Sequence, residues 1–333
     1  MLRVGLIGAG FMGTFHAAGW SRTPAGLAGI NSFYPDRGEA LARRYGARLY
    51  ESLDALLDAV DVLDVCTPTY LHHEMVLKAA AAGKHVICEK PLARTISQAE
   101  EMILACREAG VKLLVGHVVR FFPQYAQAKA IVSGGEIGRV GVIRLTRASS
   151  HPERPYDNWF LDPARSGGMM LDLMLHDFDY ARWIAGEVES VFAKKVSSHY
   201  PGVPGDYGLA ILRHTDGALS HIEGGWVYPP PMFRTSLEIA GEHGLIELPA
   251  EGSQPLGLYL HRTEGDDPVI KGVPLSPLAE DPYTTELRHF YDVLVHDVTP
   301  RITAEDALAA LRIAFAAIRS AETGRRVALE EVH

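Results

Sequence analysis

An α/β fold is predicted for this chain: a parallel doubly wound sheet first, then an α+β region with a mostly antiparallel sheet. Three observations carry that expectation. The chain opens on an apolar run that ends in Gly8-Ala9-Gly10-Phe11-Met12-Gly13 and passes into a helical pattern. Short apolar runs then alternate with amphipathic stretches as far as Gly116. Beyond that point the alternation stops, and strand-like segments follow one another across glycine, proline and Asp-Gly turns.

With 333 residues the chain exceeds what one core usually fills, so two domains are expected, with one large α/β domain as the alternative; the end of the alternation puts the division at 1–118 and 119–333. An apolar fraction of 47% with 22% charged residues is that of a globular protein. The net charge of -9 speaks against a protein built to neutralise nucleic-acid phosphates or to dock on anionic membrane. No apolar run reaches the length of a membrane-spanning helix, and the opening MLRVGLIGAGF is too short and too glycine-broken for a signal peptide. Cys66, Cys88 and Cys106 are three, widely spaced and without a CxxC, which predicts reduced core thiols in a cytoplasmic protein. His72-His73-Glu74 lacks metal-ligand spacing, and no metal is expected.

Taken in order, Leu2 to Ile7 reads as the first strand. In the glycine run that follows, Gly8 permits the tight turn, Gly10 lets backbone approach a pyrophosphate, and Gly13 lets helix and strand pack closely. The next helix then offers free N–H groups at its start, so Gly8, Gly10, Phe11, Met12 and Gly13 are expected at a dinucleotide. Leu27 to Ser32 is the second strand. Its end normally carries an acid for the ribose 2′-hydroxyl of NAD; here Ser32 stands there, and Arg37 follows within reach of a 2′-phosphate. NADP is slightly favoured over NAD.

A helix over Arg37 to Tyr45, a strand over Val62 to Cys66, a helix over His73 to Ala82 and a strand over Val86 to Cys88 follow. Next come a helix over Gln98 to Ala109, started by a Ser97/Glu100 capping box and stopped by Gly110, and the strand Leu113 to Val115. Val86 to Cys88 runs straight into Glu89-Lys90-Pro91. Charges there lie at the carboxyl end of a parallel strand, where this architecture puts its ligands.

The second half begins with a helix over Pro123 to Ser133. Strands are expected at Val140 to Ala148, Val191 to Val196, Tyr207 to Arg213, Ala218 to Trp226 and Arg234 to Gly241, forming a meander with one face to cover. Between the first two, Gly168 to Trp183 reads as one helix with Asp172, His176 and Asp179 on a single face and Met170, Leu171, Met174, Leu175 and Phe178 in the core. That Asp/His spacing is also common on solvated helices.

In these motifs the chain resembles the glucose-fructose oxidoreductase / inositol dehydrogenase / MocA family. The resemblance rests on GLIGAGFMG, on CTPTYLHHEMVLKAAAAGKHVICEKPLA and on GGMMLDLMLHDFD in that order, and runs nearly to the end of the chain. It implies an N-terminal Rossmann domain and a C-terminal α+β domain with a large, mostly antiparallel open sheet, through whose face members form homodimers or homotetramers. It implies hydride transfer between nicotinamide and a hydroxyl or carbonyl of a sugar or cyclic polyol. His176 would then be the acid/base, oriented by Asp172, with Lys90 as donor to the developing oxyanion or as the alternative base. Glu89 would hold the strand-loop segment and, with Thr67, Pro68, His72 and Lys90, face the cofactor. Arg120, His151, Trp159 and Asp179 are candidates for the substrate, with Tyr156 and His289 behind them. Two departures stand out: Ser166-Gly167-Gly168 where many members have three glycines, and the missing acid at Ser32. Two other readings fit the same motifs: a non-catalytic dinucleotide sensor, and an enzyme that keeps NAD bound for redox-assisted elimination or glycoside cleavage.

Overall fold

The computed structural model describes residues 1–154, 157–198, 205–249, 256–260, 270–273 and 280–333. The chain forms two compact units, Met1–Phe121 with Glu280–Leu308, and Phe122–Ala279 with Ala309–His333.

The first unit is built on six parallel strands: β1 (Arg3–Ile7), β2 (Gly26–Asn31), β3 (Arg48–Leu49), β4 (Val62–Val65), β5 (His85–Glu89) and β6 (Leu113–Gly116). Their order is β3-β2-β1-β4-β5-β6. β1 pairs with both β2 and β4, so the strand order reverses beside it and the glycine run leaves the sheet at that reversal. The connecting helices are α1 (Phe11–Trp20), α2 (Pro35–Tyr45), α3 (Leu53–Ala59), α4 (His72–Ala81) and α5 (Ile96–Glu108). β3 and α3 are additions to the sequence reading: β3 is two residues long, and α3 is started by Ser52, whose hydroxyl accepts from Ala55 N. The cap of α5 is Thr95, not Ser97. Thr95 is extended and accepts from Gln98 N at 3.1 Å, which starts the helix earlier and carries Ser97 inside it.

The second unit starts with α6 (Pro123–Ser133) and holds a nine-stranded sheet in the order β14-β13-β12-β11-β7-β10-β9-β8-β15. Its strands are β7 (Val140–Ser149), β8 (Val188–Ser197), β9 (Asp206–His214), β10 (Leu219–Gly225), β11 (Phe233–Gly241), β12 (Gly244–Leu248), β13 (Leu256–Leu260), β14 (Ile270–Val273) and β15 (Val327–Ala328). The expected meander holds for β8, β9 and β10. β7 then enters between β10 and β11, parallel to β10, so the sheet is mixed. Val191, Ala193, Ala210, Leu212 and Ile222 are buried on one face, while Phe192, Val196, Ile211 and Leu219 stand exposed on the other. After α7 (Pro163–Ser166), which packs on α8, the covered face meets α8 (Gly168–Asp172) and α9 (Leu175–Ala185), of which α8 packs on β9 and α9 on β7.

The chain then returns to the first unit with α10 (Pro282–Val295), followed by α11 (Ala304–Thr323). A division at 118/119 leaves α10 in the second domain; its packing puts it in the first. Leu287, Phe290 and Val293 join Val4, Trp20, Val62, Ile87 and Leu114 in one core cluster. Gly19 makes the approach possible, since a Cβ there would lie 2.6 Å from Leu287 Cδ1. Among the described residues, no helix is long and apolar enough to cross a membrane. Cys66, Cys88 and Cys106 are free and buried.

Candidate active site

The glycine run of the first unit has the shape its spacing predicts. Gly8 sits at φ 105°, and a Cβ on it would lie 2.5 Å from Cys66 O. A Cβ on Gly13 would fall 1.8 Å from Gly8 O, so only glycine lets α1 seat this close to the turn. Gly10, which caps α1 with extended backbone, is different: a Cβ there would meet nothing within 4 Å. Two glycines are therefore required by the protein itself, and the middle one borders open space at a helix N-terminus with no acid in its first turn. That cradle fits a pyrophosphate. Phe11 is exposed at its edge, whereas Met12 packs against the cluster of Leu6, Ala17 and Ile30.

At the end of β2, Ser32 Oγ donates to Tyr34 O and accepts from Tyr34 N, closing a small turn. The Arg37 guanidinium lies 5.5 Å from the centre of the Tyr34 ring. Residues Asn31 to Tyr34 carry no carboxylate.

The ends of β4 and β5 are tied by buried hydrogen bonds. Glu89 is 5% exposed and its carboxylate turns inward, accepting from His16 Nε2 at 3.0 Å and from the Lys90 backbone N–H at 3.0 Å. The Glu89 carboxylate is thus placed to hold the strand-loop segment through the Lys90 N–H. His72 also faces protein. Its ring is buried, with Nδ1 2.9 Å from Pro91 O and Nε2 2.9 Å from Thr67 O. Burial pulls its pKa down, and a neutral ring donates to one of the two carbonyls. Thr67 is buried and Pro68, beside it, is partly exposed.

His16, Asp64 and Trp20 are absent from the sequence reading. His16 Nδ1 lies 3.0 and 2.9 Å from the two Asp64 carboxylate oxygens, and Trp20 Nε1 donates to Asp64 at 2.7 Å. Burial works against a charge on His16, but Asp64 and Cys66 outweigh it and hold the imidazole well above its ordinary value. For Glu89 burial pushes upward, and His16 and Lys90 outweigh it, leaving the carboxyl low. Glu286 on α10 is fully buried, and its two carboxyl oxygens find no hydrogen-bond partner among the described residues. Burial first, then the Glu89 charge, push its pKa well up. The signal for this cluster lies in VLDVC, where an acid interrupts an otherwise apolar strand. Donor atoms of His16, Asp64 and Cys66 lie within 4.8 Å of one another, as metal ligands can, but His16 and Asp64 are hydrogen-bonded as an ion pair.

In the second unit the helix expected over Gly168 to Trp183 is two helices. Asp172 is the last residue of α8, and His176 lies in the first turn of α9. Between them Leu173 N and Met174 N both donate to Met169 O, at 2.8 and 3.2 Å, which makes one wide turn. The wide turn matches the packing below it. Met169 and Met170 press on Gly208, where a Cβ would lie 2.9 Å from either methyl, and Met174 presses on Gly224, where the distance would be 2.4 Å. Gly167 and Gly168, at φ 85° and 76°, make the consecutive left-handed step into α8. Asp172 and His176 are both half-buried. Next to His176, Asp177 is locked to Arg147 of β7 by a bidentate buried ion pair of 2.8 and 2.9 Å.

The remaining candidates separate. Arg120 is 1% exposed and its Nη1 donates to Arg301 O at 2.9 Å, a brace within the first unit. His289 Nε2 accepts from Arg301 N at 2.8 Å in the same region. Asp179 is 1% exposed, a buried acid. His151 and Trp159 remain partly exposed: His151 lies 5.3 Å from the Trp226 ring, and Trp159 stacks on Phe160 at 3.9 Å. Tyr156 lies outside the described residues.

Comparison with known proteins bears on both units. Residues 2–117 match an oxidoreductase family described by its NAD-binding Rossmann fold, and residues 125–247 match the GFO/IDH/MocA C-terminal domain. A myo-inositol 2-dehydrogenase of Thermotoga maritima is 34% identical over 343 residues, covering 99% of each chain. A 1,5-anhydro-D-fructose reductase of Ensifer adhaerens is 30% identical over 99% of each. Among solved structures, levoglucosan dehydrogenase in complex with NADH and levoglucosan superposes with a TM-score of 0.88 at 26% identity, covering 98% of both chains.

Proposed function

Because the chain belongs to the GFO/IDH/MocA family of NAD-binding oxidoreductases, we propose that it moves a hydride between a nicotinamide dinucleotide and a secondary hydroxyl or carbonyl of a cyclic polyol or sugar. The observation that carries the reading is the glycine cradle, open at Gly10 alone, in one sheet with the braced strand end that presents Lys90. Gly8, Gly10, Phe11 and Gly13 would hold the dinucleotide, with Thr67 and Pro68 beside them. When bound, the nicotinamide supplies the hydride acceptor or donor.

The chain's own residues handle the proton. As an alcohol is oxidised its O–H proton must leave while charge grows on oxygen. His176 takes that proton, Asp172 stabilises the imidazolium, and the Lys90 ammonium stabilises the oxygen. Either Lys90→Met or His176→Ala should lower kcat on the order of 100-fold or more with NADH affinity retained. Unchanged kcat in both variants would remove these assignments.

On cofactor choice, the solved relative's complex contains NADH. Ser32 and Arg37 replace the ribose-binding acid here, and their chemistry supports NADP. Titration with NADH and NADPH by nicotinamide fluorescence decides: tighter NADPH binding that is lost in Arg37→Ala supports NADP, and tighter NADH binding supports NAD. Phe192, Val196, Ile211 and Leu219 stand exposed on the open sheet face, with Phe192 opposite Ile211, which supports homo-oligomers formed through that face. Light scattering reads the state. Three free thiols support a cytoplasmic location.

A further inference from the structure

In the first unit one buried hydrogen-bonded chain runs beneath the Lys90 strand end. It starts on α1, the helix that leaves the glycine cradle. Trp20 Nε1 and His16 Nδ1 converge on Asp64 of β4, and His16 Nε2 reaches Glu89 of β5. The other carboxylate oxygen of Glu89 accepts the Lys90 N–H. Gly116, opposite Glu89 in the sheet, leaves the space for that carboxylate to turn inward, since a Cβ there would lie 3.2 Å from Glu89 Oε1.

We propose that His16 is a positioning residue for Lys90: by bridging Asp64 and Glu89 as a doubly donating ring, it fixes the Glu89 carboxylate that holds the Lys90 backbone. The proposal rests on the assignment of Lys90 to the reaction. It adds a residue that touches neither cofactor nor substrate.

Asp64 and Glu89 are acceptors, and a neutral imidazole has one N–H, so a ring within 3.0 Å of both carboxylates satisfies both only as the cation. The groups facing this ring are Asp64, Glu89 and Cys66, with Cys88 and Glu286 close by and Lys90 at the strand end. His16 is the cation enclosed among them. Without it Glu89 is a buried acid beside a second acid, and it relaxes either by taking a proton or by swinging outward. Either response loosens its hold on the Lys90 N–H. The buried His72 ring lies between Pro91 O and Thr67 O on the other side of the same turn, so the loss should be local.

The test uses the full-length protein. In His16→Gln, amide hydrogen exchange at Lys90 should accelerate at least about 10-fold while Ile87, within β5, keeps its protection. NADH affinity should stay within about twofold, and kcat should fall on the order of 10- to 100-fold, the effect of a small misplacement of a reacting group. An unchanged Lys90 amide in a folded variant overturns the proposal. If the variant does not fold, 15N shifts of the wild-type His16 ring decide: a doubly protonated ring at pH 8 supports the bridge, and a neutral ring refutes it. Lys90→Met separates the two levels. Should it retain turnover, the functional reading fails, while the amide and ring measurements still decide whether His16 holds this strand end.

Discussion

Glu286 allows a quantitative test of the buried cluster. Its carboxyl is enclosed by the first unit, without a hydrogen-bond partner among the described residues, and its pKa is raised well above 4.5 by burial and by the Glu89 charge. In the unfolded chain the same group ionises near its ordinary value. Above that value the folded state binds more protons than the unfolded state, so stability falls as pH rises until the folded group itself ionises. The slope for one such proton is about 1.4 kcal/mol per pH unit. Glu286→Gln keeps the shape and removes the proton. Its amide N–H groups bring a desolvation cost of about 1–3 kcal/mol if they find no acceptor, but that cost does not vary with pH. The variant should therefore gain on the wild type by up to about 1.4 kcal/mol for each pH unit above 4.5, as far as the folded pKa extends. The raised pKa of His16 gives stability that is full below 6.5 and lost as pH rises through its folded value. The lowered pKa of Glu89 gives stability present above 4.5 and lost as pH falls through its folded value. Both slopes are common to the two proteins. Urea unfolding of each at several values between about pH 5 and pH 8 measures the difference. A stability difference that stays constant across that range would show that Glu286 is already ionised in the folded protein and would refute the reasoning.

Three further outcomes follow from the same geometry. Gly10→Ala should fold with unchanged thermal stability and lose NADH binding, because the added methyl enters open space where a pyrophosphate would lie. Gly13→Ala should instead destabilise the fold, since its methyl would fall 1.8 Å from Gly8 O; thermal melts and fluorescence titration separate the two. Breaking the buried Arg147–Asp177 pair by Arg147→Met should cost about 3–5 kcal/mol, whereas Arg147→Met with Asp177→Leu should recover most of it. Denaturant titration of both variants checks this, and equal losses would mean that the pair is no more than packing. Gly224→Val should displace Met174, whose Cγ would lie 2.4 Å from the new Cβ; near-UV circular dichroism and thermal melting would register it.

How much was legible in advance differs between the two halves. Most of the parallel sheet was readable because β1, β4, β5 and β6 are buried, mostly apolar runs, and the glycine run announced its cradle because Gly8 and Gly13 answer separate steric demands while Gly10 borders open space. The expected helix over Gly168 to Trp183 was not a single helix because its wide turn is set by Met169, Met170 and Met174 meeting two glycines on strands far along the chain. Arg120 shows a partner that its residue type could not announce, since its guanidinium donates to Arg301 O, 181 residues further along the chain. Glu89 shows both sides: its place at the strand end is local, while the direction of its carboxylate depends on His16, which is distant in sequence.

The amino-acid sequence alone determined the class of fold, the glycine cradle and the position of Lys90 at a strand end, because periodicity, turn chemistry and apolar runs act between near neighbours in the chain. Only the tertiary structure decided that α10 belongs to the first unit, that Asp172 and His176 lie on two helices, and that a buried histidine bridges Asp64 to Glu89. Those outcomes depend on which side chains are deprived of water together, and that is settled when distant segments pack.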